Sequence, residues 1–319
     1  MAGSRLMLTL ACCAATAIGA PAAAAGDGLL RVRTVDDSGS VRLAVDAATL
    51  NELWALRGAC AINMPVSSTE HVDLTLTRFD VIAPGAKFIT MIDGMPMATE
   101  QPRVLLLRGS INGEPNSHVF LSLTGDGGGS GSITRGDGRQ FTIGTDAIDN
   151  RAIGLIVRSG EGNAPDFPEF CGPATHRIEA PAIAAADFPG GTAQLDARGP
   201  RGLIVALDGD QSFVQLFPNN AAAQAYMIQL AGAVSDIYMR ELNMRLWVTF
   251  VRTWPTGGEP FAASDLSGFR NYWIANEETD GINLVHLLSG RRNLSYGGVA
   301  FLADACNGFG FGISGFLLG

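Results

Sequence analysis

Between residues 72 and 158, seven short runs rich in Val, Ile, Leu, Phe and Thr follow one another, separated by turn sequences. They are VDLTLTRFDVI (72–82), KFITMI (87–92), RVLLLRG (103–109), SHVFLSL (117–123), GSIT (131–134), RQFTIG (139–144) and AIGLIVR (152–158). Pro84-Gly85, Asp93-Gly94, Gly113-Glu114-Pro115 and the glycine-rich GDGGGSG (125–131) punctuate them. A chain that turns back this often cannot build long helices here. The spacing predicts an antiparallel sandwich or barrel-like domain.

The pattern then changes twice. Residues 159–201 are rich in Pro, Gly and Ala without sustained periodicity, and read as an extended linker carrying one cysteine. From residue 202 a second pattern begins. GLIVALDGD (202–210) is a buried-strand run, and Pro218 and Asn219 open a long helix whose Ala223, Tyr226, Met227, Leu230, Val234, Ile237 and Tyr238 share one stripe. MRLWVTFVRTW (244–254) alternates as a sheet strand does. Ser264 caps a second helix with Leu266, Phe269 and Trp273 on one face, and INLVHLLSG (282–290) and GGVAFLAD (297–304) follow as strands. Strand, helix, strand, helix, strand, strand is an α/β order. The expected organisation is therefore a leader (1–25), a β-rich domain (26–158), a linker (159–201) and an α/β unit (202–319).

The leader is read from MAGSRLMLTLACCAATAIGAPAAAAGDG. Arg5 supplies a positive start, Leu6 to Ile18 an apolar stretch, and Ala23-Ala24-Ala25 an A-x-A cleavage site before Gly26. It is too short and alanine-rich for a membrane span, and no second segment is long and apolar enough for one. The expectation is an exported, secreted protein. A formal charge of −9 without any basic run argues against nucleic acid, because nothing would replace phosphate counterions.

Loss of the leader removes Cys12 and Cys13 and leaves Cys60, Cys171 and Cys306, an odd number that forces one thiol to lack a partner within the chain. All three are disulfide candidates. No G-x-S-x-G motif is present, and His71, His118, His176 and His286 sit in unrelated segments. His286, inside an apolar strand, reads as a hydrogen-bonded structural histidine. Cys171 with His176 is too small a set for a zinc site and lacks the third orienting group a hydrolase would need. The tail 306-CNGFGFGISGFLLG-319 contains Gly310-x-Gly312-x-x-Gly315, but no helix follows it for a pyrophosphate to sit on. It reads instead as a flexible glycine-rich loop.

The order of elements carries a resemblance. LIVALDGD, the helix ending VSDIYMRELNMRLWVTFVRTW, DLSGFRNYW, DGINLVHLLSG and GGVAFLADAC together resemble the upper, N-terminal half of the catalytic domain of reprolysin-type (adamalysin, ADAM-like) zinc metallopeptidases of the metzincin group. The match covers about a third of the chain. Members of that family are secreted as proenzymes with a β-rich propeptide ending in a Pro-x-x-Cys-Gly cysteine switch, and 168-PEFCGP-173 stands about thirty residues before the first strand of the resembling segment. The resemblance thus implies an α+β or α/β architecture: a β-rich propeptide followed by a mixed twisted sheet with two main helices. It implies Cys171 as a latent-state zinc ligand, since a thiolate suits tetrahedral zinc. Pairing of Cys171 with Cys60 remains the open alternative. The family partner of the cysteine matching Cys306 lies in the lower half of the domain, which would leave Cys306 alone here.

The resemblance also implies that Gly298, Val299, Ala300 and Phe301 form the antiparallel edge strand to which peptide or protein substrates add through backbone hydrogen bonds. An ordinary internal strand is the plainer reading. The family's zinc motif, HExxHxxGxxH, is not among these residues and in resembling proteins follows shortly after the position of Gly319. The expected function is a secreted zinc metalloendopeptidase precursor whose zinc site and catalytic residues this chain does not itself carry. The competing expectation is a non-catalytic secreted binding protein retaining half of such a fold. The arginines of 198-RGPR-201 mark a candidate processing point.

Overall fold

The computed structural model describes residues 28–55, 58–149, 151–160, 201–301 and 310–317. The leader, the PEFCGP segment with Cys171 and His176, and Cys306 lie outside the described residues. The architecture is mixed α+β. Its first part runs β1 (Leu30–Val35), β2 (Val41–Val45), α1 (Ala47–Ala55), β3 (Ala59–Pro65), β4 (His71–Phe79), β5 (Ile82–Ile92), β6 (Met95–Ala98), β7 (Val104–Ile111), β8 (His118–Thr124), β9 (Gly129–Thr134), β10 (Gln140–Ile148) and β11 (Arg151–Ser159). Its second part runs β12 (Arg201–Gly209), α2 (Gln211–Val214), α3 (Asn220–Leu242), β13 (Met244–Thr253), α4 (Leu266–Asn276), β14 (Leu284–Leu288), β15 (Gly298–Ala300) and β16 (Phe311–Ser314).

Nine strands form an antiparallel sheet in the order β1-β2-β11-β10-β9-β8-β7-β4-β3. In β4 the alternation is clean: Val72, Leu74 and Leu76 turn inward while Asp73, Thr75 and Thr77 stay in water. With Leu105 and Leu107 of β7, Leu121 and Leu123 of β8, and Leu50 and Leu53 of α1, they make the first core. Burial of each such leucine contributes about 1.5–3 kcal/mol. β8 departs from alternation, since its central residues Val119 to Leu123 are all buried. A second layer covers the outer face of the sheet there.

That second layer begins with α3. Asn219 caps it, its side chain accepting from the Ala222 N–H, and Asn243 ends it in the left-handed conformation at φ 51°. The helix is buried on more than the one expected stripe. Ile237, expected on the apolar stripe, is exposed, while Gln224, Ser235 and Asp236 are buried. The reason is that the helix lies between two sheets, so its polar side also meets protein. The second helix, α4, is capped by Asp265 rather than by Ser264, with the Asp265 side chain accepting from the Gly268 N–H. Its Leu266, Phe269 and Trp273 are buried together, as their spacing predicts.

The second sheet has seven strands in the order β15-β16-β14-β12-β13-β5-β6. β16, β14, β12, β13 and β5 are mutually parallel, and β15 and β6 are antiparallel at the two edges. Two of its strands come from the β-rich region that precedes the linker. The run 72–82, read in the sequence as one strand, divides at Asp80: β4 ends in the first sheet at Phe79 and β5 starts in the second at Ile82. The tail is also corrected. Far from a flexible loop, residues 311–314 form β16, an internal strand with buried Phe311, Gly312 and Ile313.

Candidate substrate-binding edge and apolar groove

On β16 the side chains separate by face. Phe311 and Ile313 enter the aromatic core under α4 with Phe269 and Trp273. Gly312 and Ser314 face the other way, toward β14. A Cβ on Gly312 would stand 2.9 Å from His286 Nδ1, and one on Gly310 would stand 2.1 Å from the Asn283 carbonyl oxygen. The tail's repeated glycines are therefore a strand-packing requirement. His286 Nε2 lies 2.9 Å from Ser314 Oγ. Burial among apolar walls pushes its pKa down to about 4, so the ring is neutral at neutral pH. The hydrogen-bonded histidine expected from the sequence is what stands there.

Among the described residues α3 covers the β12–β13 side of the sheet and leaves β14 and β16 open on the same face. The result is a groove of about 670 Å³. Leu203 and Leu284 form its floor, Leu230, Val234 and Tyr238 of α3 one wall, and Phe301 part of the rim. His286 and Ser314 are its polar groups.

β15 runs along the outer side of this groove. Gly298, Val299 and Ala300 pair with Ser314, Ile313 and Gly312, and Phe301 donates its N–H to the Phe311 carbonyl at 3.3 Å. No described strand lies beyond β15. Since residues 297 and 301 carry the bonds to β16, the antiparallel alternation directs the backbone groups of Gly298 and Ala300 to the open side. These are the groups an extended peptide would meet.

The opposite face of the sheet carries a closed polar cluster that the sequence reading missed. Asp208 of β12 accepts from Arg252 Nε at 3.1 Å, and from the indole N–H groups of Trp254 and Trp273, each at 2.9 Å. Arg252 also pairs with Glu277. Four aromatic rings, Phe250, Trp254, Tyr272 and Trp273, lie within 5.6 Å of the guanidinium carbon. The only local signal was a charge ending each apolar run, LIVALD and VTFVR. With its donors and acceptors satisfied, this cluster serves packing rather than chemistry.

Among the described residues no three His, Cys, Asp or Glu side chains converge to hold a metal ion. His71 bonds to Asn63, His118 to Asp236 and His286 to Ser314. The described residues therefore do not fit a zinc ion. Cys60 is a free thiol inside the first core, 1% exposed, and burial raises its pKa. No described helix is long and apolar enough to cross a membrane.

No protein-family model and no curated protein matches this chain. Among solved structures it is similar to metalloproteinase-II from Bacteroides fragilis. The identity is 14%, the TM-score 0.41, and the match covers 85% of this chain and 80% of that one. Neither the identity nor the score is high enough to fix a shared fold.

Proposed function

We propose that this chain belongs to a secreted zinc-dependent metalloendopeptidase precursor, with residues 201–317 forming the half that binds the peptide. The observation that supports the reading is the short antiparallel strand Gly298–Ala300 at the open edge of an otherwise mostly parallel sheet, beside an apolar groove. A substrate strand would add to β15, with backbone hydrogen bonds to Gly298 and Ala300 giving affinity and side chains reaching the groove giving preference.

The motif HExxHxxGxxH is not among these 319 residues. The reading requires it from sequence that follows codon 319 in the gene, so the first test is to read that sequence. The second is to express the chain extended through it and assay zinc content and peptide hydrolysis. One zinc per molecule, with hydrolysis abolished by a chelator, is the expected result. Within that protein Ala300→Pro, which removes one outward N–H, should lower kcat/KM for peptides at least about tenfold, the scale of one lost backbone bond. A stop after codon 319, with a stable monomeric product that hydrolyses nothing, would instead favour the binding-protein reading.

A further inference from the structure

We infer that residues 28–160 are a permanent strand-donating partner of residues 201–317, so that cutting the chain between them leaves one non-covalent particle. This rests on the fold alone and not on the peptidase reading.

The second sheet is incomplete without the first part of the chain. β5 forms a parallel ladder with β13 from Ile82↔Val248 to Thr90↔Thr253, and the Val248 N–H donates to the Val81 carbonyl at 2.7 Å. Without β5, the outer side of β13 would present a row of unpaired N–H and C=O groups. The core is shared as well. Phe79, Val81, Phe88, Leu106 and Phe120 belong to the same apolar cluster as Leu203, Met227, Ile228 and Val248. At Gly232 the backbone of α3 comes so near the first part that an added Cβ would stand 2.7 Å from the Leu106 side chain.

Buried polar groups of α3 depend on the same junction. Asp236, 3% exposed, has its Oδ2 2.6 Å from His118 Nε2 of β8. Gln224, 1% exposed, donates to the Thr99 hydroxyl at 3.2 Å and the Ile89 carbonyl at 3.4 Å. Asn220 donates to the Thr90 hydroxyl at 2.6 Å. Departure of the first part would expose the apolar cluster and remove all of these bonds at once, leaving Gln224 only the Thr253 hydroxyl at 3.3 Å and Asp236 only Arg240 at 4.0 Å. Retention is the state in which β13 keeps a neighbour on both sides.

The test places a recognition sequence for a site-specific protease between Ala185 and Ala186 of the full chain, within the linker. After complete cutting in native buffer, size-exclusion chromatography at low micromolar concentration should return both pieces in one peak at the volume of the uncut chain. Amide hydrogen exchange on that peak should find β5 and β13 protected to within tenfold of the uncut protein. Two separate peaks would overturn the inference, as would a soluble first piece with the second precipitated. So would a shared peak in which β5 and β13 have lost their protection, because the pieces would then be adhering elsewhere.

Discussion

Asp208 on β12 and Arg252 on the adjacent β13 form an ion pair with almost no solvent access, at 0% and 1% exposure, bridged through Nε and Nη2 to a single carboxylate oxygen. Burial is the largest single influence and opposes the arginine's charge, but the charge and hydrogen bond of Asp208, with Tyr272 and Glu277, together outweigh it and the pKa stands above the ordinary value. Removing one partner leaves the other charge buried without compensation. Arg252→Met or Asp208→Asn should each lower unfolding stability by about 3–5 kcal/mol in urea titrations. The double variant should lose less than the sum of the two. Additive losses would show that the two side chains do not act as a pair.

The glycines of the tail make a second prediction. Gly310→Ala drives a methyl group against a backbone carbonyl that cannot move alone, while Gly312→Ala meets the edge of an imidazole ring. Both should destabilise, by about 1–3 kcal/mol, with Gly310→Ala the worse. Combining Gly312→Ala with His286→Ala should recover part of the loss, and no such recovery is expected for Gly310→Ala with the same partner. Thermal or urea unfolding checks both.

His286 gives stability a pH dependence of defined sign. Its folded pKa is held down at about 4, against 6.5 for an ordinary histidine. Between those values the unfolded chain binds a proton that the folded chain refuses, so stability falls as pH drops from about 6.5 toward 4. The slope from this one group approaches about 1.4 kcal/mol per pH unit. His286→Asn should flatten the profile in that window and leave it unchanged above pH 7. An identical profile in the variant would move the effect to another group.

The ends of α3 can be tested singly. Asn219→Ala removes the acceptor of the Ala222 N–H, and Asn243→Ala keeps the β-carbon of a left-handed residue but loses the side-chain amide that lets asparagine adopt that conformation. Each should cost about 1 kcal/mol, whereas Asn243→Gly should be neutral or better.

Much of the local structure was legible in the sequence. Asn219 and the apolar spacing after it predict α3, whose start agrees to the residue, and the runs at 103–109 and 117–123 are the strands Val104–Ile111 and His118–Thr124, whereas the run 72–82 is a strand only to Phe79. The edge position of Gly298–Ala300 was implied only by the family resemblance, and nothing in the side chains marks it. His286 reads correctly as a bonded histidine, but its partner Ser314 is 28 residues away, on a strand that the glycines disguised as a loop.

What the sequence by itself determined is the type of most elements and the faces they bury, because both depend on neighbours within a few positions. Tertiary structure alone decided which strand lies beside which. Alternation along β5 says that it has two faces and leaves open which sheet its two edges join. Only the parallel pairing of Ile82–Thr90 with Val248–Thr253 carries that hairpin across the linker boundary. The same long-range placement buries the middle of α3 nearly all round and sets 310-GFGISG-315 into a sheet where a loop was expected. There glycine is required because the His286 ring and the Asn283 carbonyl occupy the space a side chain would take.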